Sequence, residues 1–500
     1  MIEKESFRHL LRINTNKIRE VVPIYPKLIF SDRQSRDIIN PLEGIREYGP
    51  YDINTSDNTL RRWFKGVEIY AFYPEKQDFV KRGLRKLINY LENGYIPKRR
   101  KSTSEHARDV EFNGLKDEFK IEVKDVQYVK YTPGQLNNKL KEYTFELQDY
   151  FDRGNVPIVI IGGTSHRSIV EGREQYIEAK YEFTRRDIPC QYAAYYDYKV
   201  GGAGILYYIM KGEIPLGYPI WNFALNLYGK CGGLAWVVPQ TISKDDNEVI
   251  DLTLGLRFSL VRHMKTRKKY MIGYITILDR FGKLAGVFST DPFEISFNQL
   301  RSEGMVISKD VMKRIIVDSL EIARRDSRIN KILEEKSIIN VAIHRLAHYS
   351  GREIKGIQEG IKDYYFNYKQ EIRIGLVSII EEPYACLLRE NIKMGTCFSL
   401  NENTILIYTA GSIGEYQRRR MNYPIVAQLQ NLGDGDSPFT SIEQLASHLL
   451  ALSSLHWQTI VPGLTRLPAS LEFARSIAYL AKYGVYPSKG SWLWRTLWFI

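Results

Sequence analysis

The sequence predicts an α/β protein with two layered halves, and three observations carry that expectation. In the first half, strand-like apolar runs alternate with amphipathic helical stretches, as in a doubly wound parallel layer. One run, NVPIVIIGG from Asn155, is continuous and bounded by glycine, the way a strand buried on both faces reads. In the second half, several strands follow one another before strand–helix units begin, which points to a mixed sheet.

Residues 1–60 read as an irregular segment that packs on the core. VVPIYPKLIF, from Val21, looks extended, and NPLEGIREYGPYD, from Asn40, is rich in turn formers and reads as a loop. A first domain is expected over 61–238. GVEIYAFYP is a strand, and QDFVKRGLRKLINYLENG is a helix that stops at Gly94. Pro97–Ser102 is a basic loop. A helix follows with Thr132-Pro133 at its entry, then the Asn155 strand, a helix through Tyr176, the strand CQYAAYYD and a helix through Asn222. In such layers ligands sit at the carboxyl ends of the strands, near helix N-termini.

A second domain is expected over 239–500. LTLGLRFSLV, KKYMIGYITIL and KLAGVFST read as consecutive strands, and DVMKRIIVDSLEIARRDS as a long helix. SIINVAIHRLAHYSGREIKGIQEGIKDYYF reads as strand, turn and helix. EIRIGLVSII, FSLNENTILIYTAG and YPIVAQLQ add strands, and helices start near Ser441 and Pro468. This order is that of a ribonuclease H-like sheet.

Composition narrows the function. Lys plus Arg exceed Asp plus Glu by 71 − 58 = 13 over 500 residues, which points to a polyanionic partner, most simply nucleic acid. The 34 tyrosines offer many stacking surfaces. Four cysteines form no C-x-x-C pair, which fits a reducing compartment better than a disulfide framework or zinc site. MIEKESFRHLLRIN lacks an apolar core of signal-peptide length, and no apolar run reaches the roughly 18 residues of a membrane helix, so no membrane insertion and a cytoplasmic location are expected. GGAGILYY, from Gly201, lacks the third glycine of a dinucleotide loop and the Gly-Lys-Ser/Thr of a P-loop. His344 and His348 are spaced like a zinc pair, but H-R-L-A-H lacks the glutamate and ends a strand.

The motif of interest lies between Tyr176 and Gly233. Tyr176 and Lys180 stand at i and i+4 and share a helix face. Gln191 follows a short turn, and Asn222, Asn226 and Lys230 repeat a four-residue step on a second helix. The two helices could aim a phenol, two ammoniums and several amides at one spot. That set suits a terminal phosphate, because point charges neutralise it and neutral donors orient it. Spacing alone also admits two surface helices with solvated polar faces.

The ordered run Y-x3-K, Gln, N-x7-K-x-G-G resembles the MID domain of Argonaute proteins. The resemblance implies that Tyr176 stacks on the first base of a guide strand and that Lys180, Gln191 and Lys230 hold its 5′-phosphate, with Asn222 and Asn226 in the same pocket. It also implies that the carboxylate of Ile500 approaches the phosphate through a divalent ion, magnesium. SWLWRTLWFI, from Ser491, is then expected to tuck into the junction of the halves rather than lie on a membrane. The second half resembles the PIWI domain at LGLRFS, at NVAIHR followed by SGRE, and in the tail from LHWQT. Gly44-Ile45 and Gly49-Pro50 resemble the stretch that opens short prokaryotic Argonautes, and nothing resembles a PAZ domain. The implied architecture is a Rossmann-like MID domain followed by a ribonuclease H-like PIWI domain.

Ribonuclease H-type cleavage needs three or four carboxylates holding two metal ions. At the positions where the family carries them, this chain has Arg257, Leu346 and Arg475. A cation there fills a metal cavity with the wrong sign of charge. The expectation is therefore a protein that anchors a guide RNA or DNA, pairs it with a complementary target without cutting, and signals to a separate effector protein in prokaryotic defence. Arg257 and the run Arg418, Arg419, Arg420 are expected along the nucleic-acid channel. Two alternatives stand beside it: a guide-directed nuclease with displaced carboxylates, such as Asp251, Asp310 or Glu472, and a guide-independent nucleic-acid-binding scaffold.

Overall fold

A computed structural model describes residues 19–23, 26–31, 40–52, 66–97, 109–143, 156–163, 169–197, 202–212, 215–238, 249–262, 269–294, 306–381, 392–410, 424–430, 432, 437–460, 466–488 and 491–500. Contacts divide the chain into two compact units, each discontinuous in sequence. The larger comprises Met1–Leu28, Val237–His456 and Pro462–Lys482, and the smaller Ile29–Trp236, Trp457–Val461 and Tyr483–Ile500. The first strand, β1 (Arg19–Val21), belongs to the larger unit.

The smaller unit is built on β2 (Val67–Pro74), β3 (Val123–Tyr131), β4 (Val156–Gly162) and β5 (Cys190–Ala193), all parallel, in the order β3-β2-β4-β5. Every residue of β2 is buried, Glu68 included, and its otherwise apolar VEIYAFYP suits a central strand. The helix Asp78–Asn93 buries Val80, Leu84, Leu87, Ile88 and Leu91, a stripe of helical period, and ends at Gly94 in a positive-φ conformation of 87°. The core gathers Tyr70, Phe72, Leu136, Leu140, Val159, Ile161 and Phe183. A short ladder, β6 (Tyr196–Asp197) with β7 (Gly202–Ala203), and the helices Ile205–Lys211 and Gly217–Lys230 complete the unit's ordering toward its C-terminal segment.

Two expectations change here. NPLEGIREY is a helix, Pro41–Tyr48, not a loop. Asn40 caps it by accepting from the Leu42 N–H at 3.2 Å, Pro41 occupies the first turn where no intrahelical donor is needed, and Gly49 closes it. Residues that read as turn formers are thus helix signals. β3 had no counterpart in the sequence reading. Its VKDVQYVKY interleaves charges because the strand lies at the sheet edge and keeps one face partly exposed.

The larger unit holds a ten-stranded sheet among the described residues. β8 (Leu252–Arg262), β9 (Lys269–Asp279) and β10 (Leu284–Ser289) form an antiparallel meander, with β11 (Phe293–Glu294) on β9. β12 (Ile338–Arg345) runs parallel to β8, and β13 (Glu371–Ile380) runs parallel to β12. β14 (Cys397–Asn401), β15 (Thr404–Ile407) and β16 (Ile425–Gln430) continue antiparallel, and β1 closes that edge on β14. Along β12 the period of two sorts the core: Ile339, Val341 and Ile343 pack with Met312, Ile315 and Ile357, while Ala342 packs with Leu445, Leu449 and Leu471. The helices Lys309–Arg324 and Gly351–Tyr368 therefore cover one face, and Ile442–Ser453 and Ala469–Ala481 the other. This is the ribonuclease H-like arrangement.

Candidate functional site

Within the smaller unit, two helices, a strand and the C-terminal segment bring four side chains and three main-chain oxygens together. Lys180 projects from the fourth turn of the Ile169–Thr184 helix and is 1% exposed. Its Nζ donates to the main-chain oxygens of Cys190 at 3.2 Å, Trp498 at 2.9 Å and Ile500 at 3.0 Å. Lys230, also 1% exposed, closes the Gly217–Lys230 helix, where the macrodipole favours a cation. Its Nζ donates to Gln191 Oε1 and to the same Ile500 oxygen, each at 2.5 Å. Lys180, Gln191 and Lys230 thus meet, with the Ile500 oxygen accepting from both ammonium groups.

The C-terminal segment packs closely on the second helix at Gly229. A Cβ there would stand 2.8 Å from Leu497 Cδ1, and the Leu497 N–H donates to the Gly229 oxygen at 3.3 Å. The positive field of the site shows in its thiols. Burial pushes Cys190 up to about 11 and Cys231 up to about 12; Lys180 and Lys230 hold the first shift back, and Lys230 the second. Two buried ammoniums are costly to desolvate unless strong acceptors face them, and an anion is the strongest acceptor available. A divalent cation fits less well. The Ile500 oxygen and Gln191 Oε1 both already accept from ammonium groups, so the donor set here is built for negative charge.

Tyr176 sits one turn before Lys180, whose Nζ lies 5.8 Å from its ring centroid, so the two do share a face. Its ring is buried and packs edge-on against Tyr192, with centroids 5.7 Å apart at 89°. The Tyr192 hydroxyl donates to Gln175 Oε1 at 2.8 Å, Gln175 Nε2 donates to the Tyr131 hydroxyl at 2.6 Å, and Tyr131 donates to the Gly162 oxygen at 3.3 Å. Sequence reasoning missed Gln175 and Tyr192, although one directly precedes Tyr176 and the other directly follows Gln191.

The amides on the second helix behave differently from each other. Asn222 Oδ1 accepts from the Ile460 N–H at 2.9 Å and so ties down the Trp457–Val461 segment. Asn226 Oδ1, one turn closer to Lys230, is buried with no hydrogen-bond partner among the described residues.

The larger unit holds the remaining predicted positions. Arg257 lies in β8 and is half-buried. Leu346, just past β12, packs against the hydrophobic core. Arg475 bridges Glu381 at 2.8 Å and Glu472 at 2.5 Å, and Arg466 reaches the same Glu381 at 3.2 Å. Arg418, Arg419 and Arg420 lie outside the described residues. Asp251 is buried between Arg280 at 2.7 Å and Lys336 at 2.8 Å and accepts the Asn340 N–H at 3.0 Å. Asp310 stands in the first turn of the Lys309–Arg324 helix. At the end of β12, Arg345 pairs with fully buried Glu353, which also accepts from the Ile307 and Ser350 N–H groups. His344 contacts Ser470 Oγ through Nδ1 at 2.9 Å. Among the described residues, no three His, Cys, Asp or Glu side chains are placed to hold a metal, and no helix is long and apolar enough to cross a membrane.

No family model and no curated protein matches the chain. Solved structures do. The structure of Clostridium butyricum Argonaute bound to a guide DNA and a 19-mer target DNA superposes with a TM-score of 0.59 at 17% identity, over 94% of this chain and 54% of that one. The structure of Aquifex aeolicus Argonaute superposes with a TM-score of 0.55 at 16% identity, over 96% and 57%. The chain spans a little over half the length of these proteins. At such identity the likeness is one of fold: the two units have the Argonaute MID–PIWI architecture.

Proposed function

We propose that the chain is a guide-directed nucleic-acid-binding protein. In this reading the 5′-phosphate of a guide strand takes up the ammonium groups of Lys180 and Lys230, Gln191 orients it, and Tyr176 supports the first base. The observation that carries the reading is the convergence of two buried lysines, from separate helices, on one Ile500 oxygen. Two buried ammonium groups, gathered by elements far apart in sequence, are what a phosphate site needs. Asn222 is left as a structural residue, and Asn226 Oδ1, an acceptor, would sit beside the phosphate rather than bind it. Phosphate contacts make the affinity salt-sensitive, while base pairing of guide with target supplies specificity.

The larger unit recognises the target duplex without cutting it. In support, Arg475 and Leu346 are committed to ion pairing and to the core, and the nearby carboxylates Asp251 and Glu472 are each held by cations. A separate effector protein then reports target recognition, in prokaryotic defence. That last step rests on the resemblance to short prokaryotic Argonautes.

The test is the affinity for one short oligonucleotide carrying a 5′-phosphate or a 5′-hydroxyl, as RNA and as DNA, with and without magnesium. A phosphate preference of at least about tenfold, or about 1.4 kcal/mol, is expected, with little dependence on magnesium. Equal affinity for both ends would leave only a basic scaffold. A labelled complementary target should stay intact with the loaded protein, and metal-dependent scission would instead favour displaced carboxylates.

A further inference from the structure

The hydrogen-bonded row behind Tyr176 lies along the carboxyl edge of the parallel sheet. Tyr131 ends β3, Gly162 ends β4, and Tyr192 sits in β5 beside Gln191. This edge is where layered α/β folds place ligands. The row spends three polar side chains, Tyr131, Gln175 and Tyr192, on one another and on a main-chain oxygen at a spacing of 2.6 to 3.3 Å. Gln175 and Tyr131 are buried, so each bond is made in a poorly solvated place, where an unmade bond is costly. The packing leaves the Tyr192 ring little freedom. A Cβ on Gly163 would stand 2.5 Å from its hydroxyl oxygen and 2.8 Å from Cζ, so only glycine admits the ring there. Against this fixed ring the Tyr176 ring packs nearly perpendicular, at 89° with centroids 5.7 Å apart.

An edge-to-face neighbour sets the plane of an aromatic ring, because the positive edge of one seeks the negative face of the other. We infer that Tyr192, held by Gln175, is a positioning residue for Tyr176, and that this pair sets how strongly the pocket accepts the first nucleobase of a bound strand. The inference rests on the guide-anchoring reading above. It assigns the nucleobase contribution to a tyrosine–glutamine–tyrosine row and the phosphate contribution to the lysines, so the two can be varied separately.

The experiment measures affinity for four oligonucleotides, with 5′-phosphate or 5′-hydroxyl and with an ordinary or abasic first nucleotide. In the native protein the abasic strand should bind at least about fivefold more weakly, as loss of one stacked base implies. Tyr192→Leu should bring that ratio to within about twofold of unity, with the phosphate ratio, an electrostatic quantity, changing less than the base ratio. Tyr192→Phe keeps the ring and loses only its anchor, so it should give an intermediate ratio and serves if the leucine variant fails to fold. Tyr176→Ala should match Tyr192→Leu, and the double variant should lose no more than either, as residues acting through one another do. The inference is overturned if native protein shows a phosphate preference without an abasic penalty, if Tyr192→Phe keeps the full penalty, or if the two losses add. Absence of any phosphate preference in the native protein instead overturns the guide-anchoring reading itself.

Discussion

Lys180 and Lys230 share one acceptor: both ammonium groups donate to the Ile500 oxygen, at 3.0 and 2.5 Å. They stand on two helices that both pack against β5, so this shared contact is a tertiary product rather than a local motif. Two buried ammonium groups brought to one point make a place where an anion is favoured.

Removing either cation tests this directly. Lys180→Ala and Lys230→Ala should each lower the preference for a 5′-phosphate by about tenfold or more, equivalent to about 1.4 kcal/mol. Competition between phosphorylated and hydroxylated strands reads the ratio without depending on total affinity. Lys230→Met keeps most of the buried stem and should lose the preference while keeping the thermal midpoint close to native.

Asn226 carries a buried acceptor with no partner among the described residues, and such a group costs about 1–3 kcal/mol. Asn226→Leu removes it at similar volume. The variant should unfold at the same temperature as native protein or above it, by calorimetry, and should keep the phosphate preference. A lower midpoint together with a weaker preference would mean that the amide serves the ligand.

The Arg345–Glu353 pair is a different kind of site. Both side chains are buried, and Glu353 also closes the capping box with Ser350. Glu353→Ala strands a buried guanidinium and opens the cap, and should destabilise the larger unit by about 3–5 kcal/mol in urea unfolding.

Acid should loosen the larger unit through its histidines. Burial lowers His344 well below its ordinary value and takes His448 and His456 down to about 3. Their folded-state values lie under the unfolded value of 6.5, so the unfolded chain binds more protons below that pH. The associated stability is fully present above about pH 6.5 and is lost as the pH falls toward 3. Both ring nitrogens of His448 are buried without hydrogen bonds among the described residues, and the Phe439 ring centroid lies 5.3 Å away. His448→Phe should therefore gain on native protein as the pH falls below 6.5, by up to about 1.4 kcal/mol per pH unit, in denaturant titrations at several pH values.

How much of this was legible follows from what each residue does locally. β2 and β4 announce themselves because strands buried on both faces need mostly apolar runs, unbroken in β4 and interrupted only by Glu68 in β2. The Pro41–Tyr48 helix was hidden because Asn-Pro and Gly-Pro punctuate loops as readily as helix ends, and only the neighbouring core decides between them. Lys180, Gln191 and Lys230 were legible as an ordered set whose helical spacings put charges on one face. Tyr192 and Gln175 were not, since their role depends on Tyr131, which no short spacing links to them. Nor could Asn222 be separated from Asn226: one meets the Ile460 N–H and the other meets nothing among the described residues, a distinction made by a distant segment.

The pairing of β1 with β14 has a consequence for synthesis. Arg19 faces Ser399, a separation of 399 − 19 = 380 residues. At about 5–20 residues per second, a ribosome takes roughly 20–80 s to supply the second strand after the first has emerged. During that interval β1 has no ladder to join, while residues 29–236 of the smaller unit emerge before β14 does and wait for its later segments, Trp457–Val461 and Tyr483–Ile500. The nascent chain thus carries two units that are both incomplete until the C-terminal residues arrive. Its early strand must be shielded until the late one arrives, which makes dependence on chaperones during translation the expected behaviour of this topology.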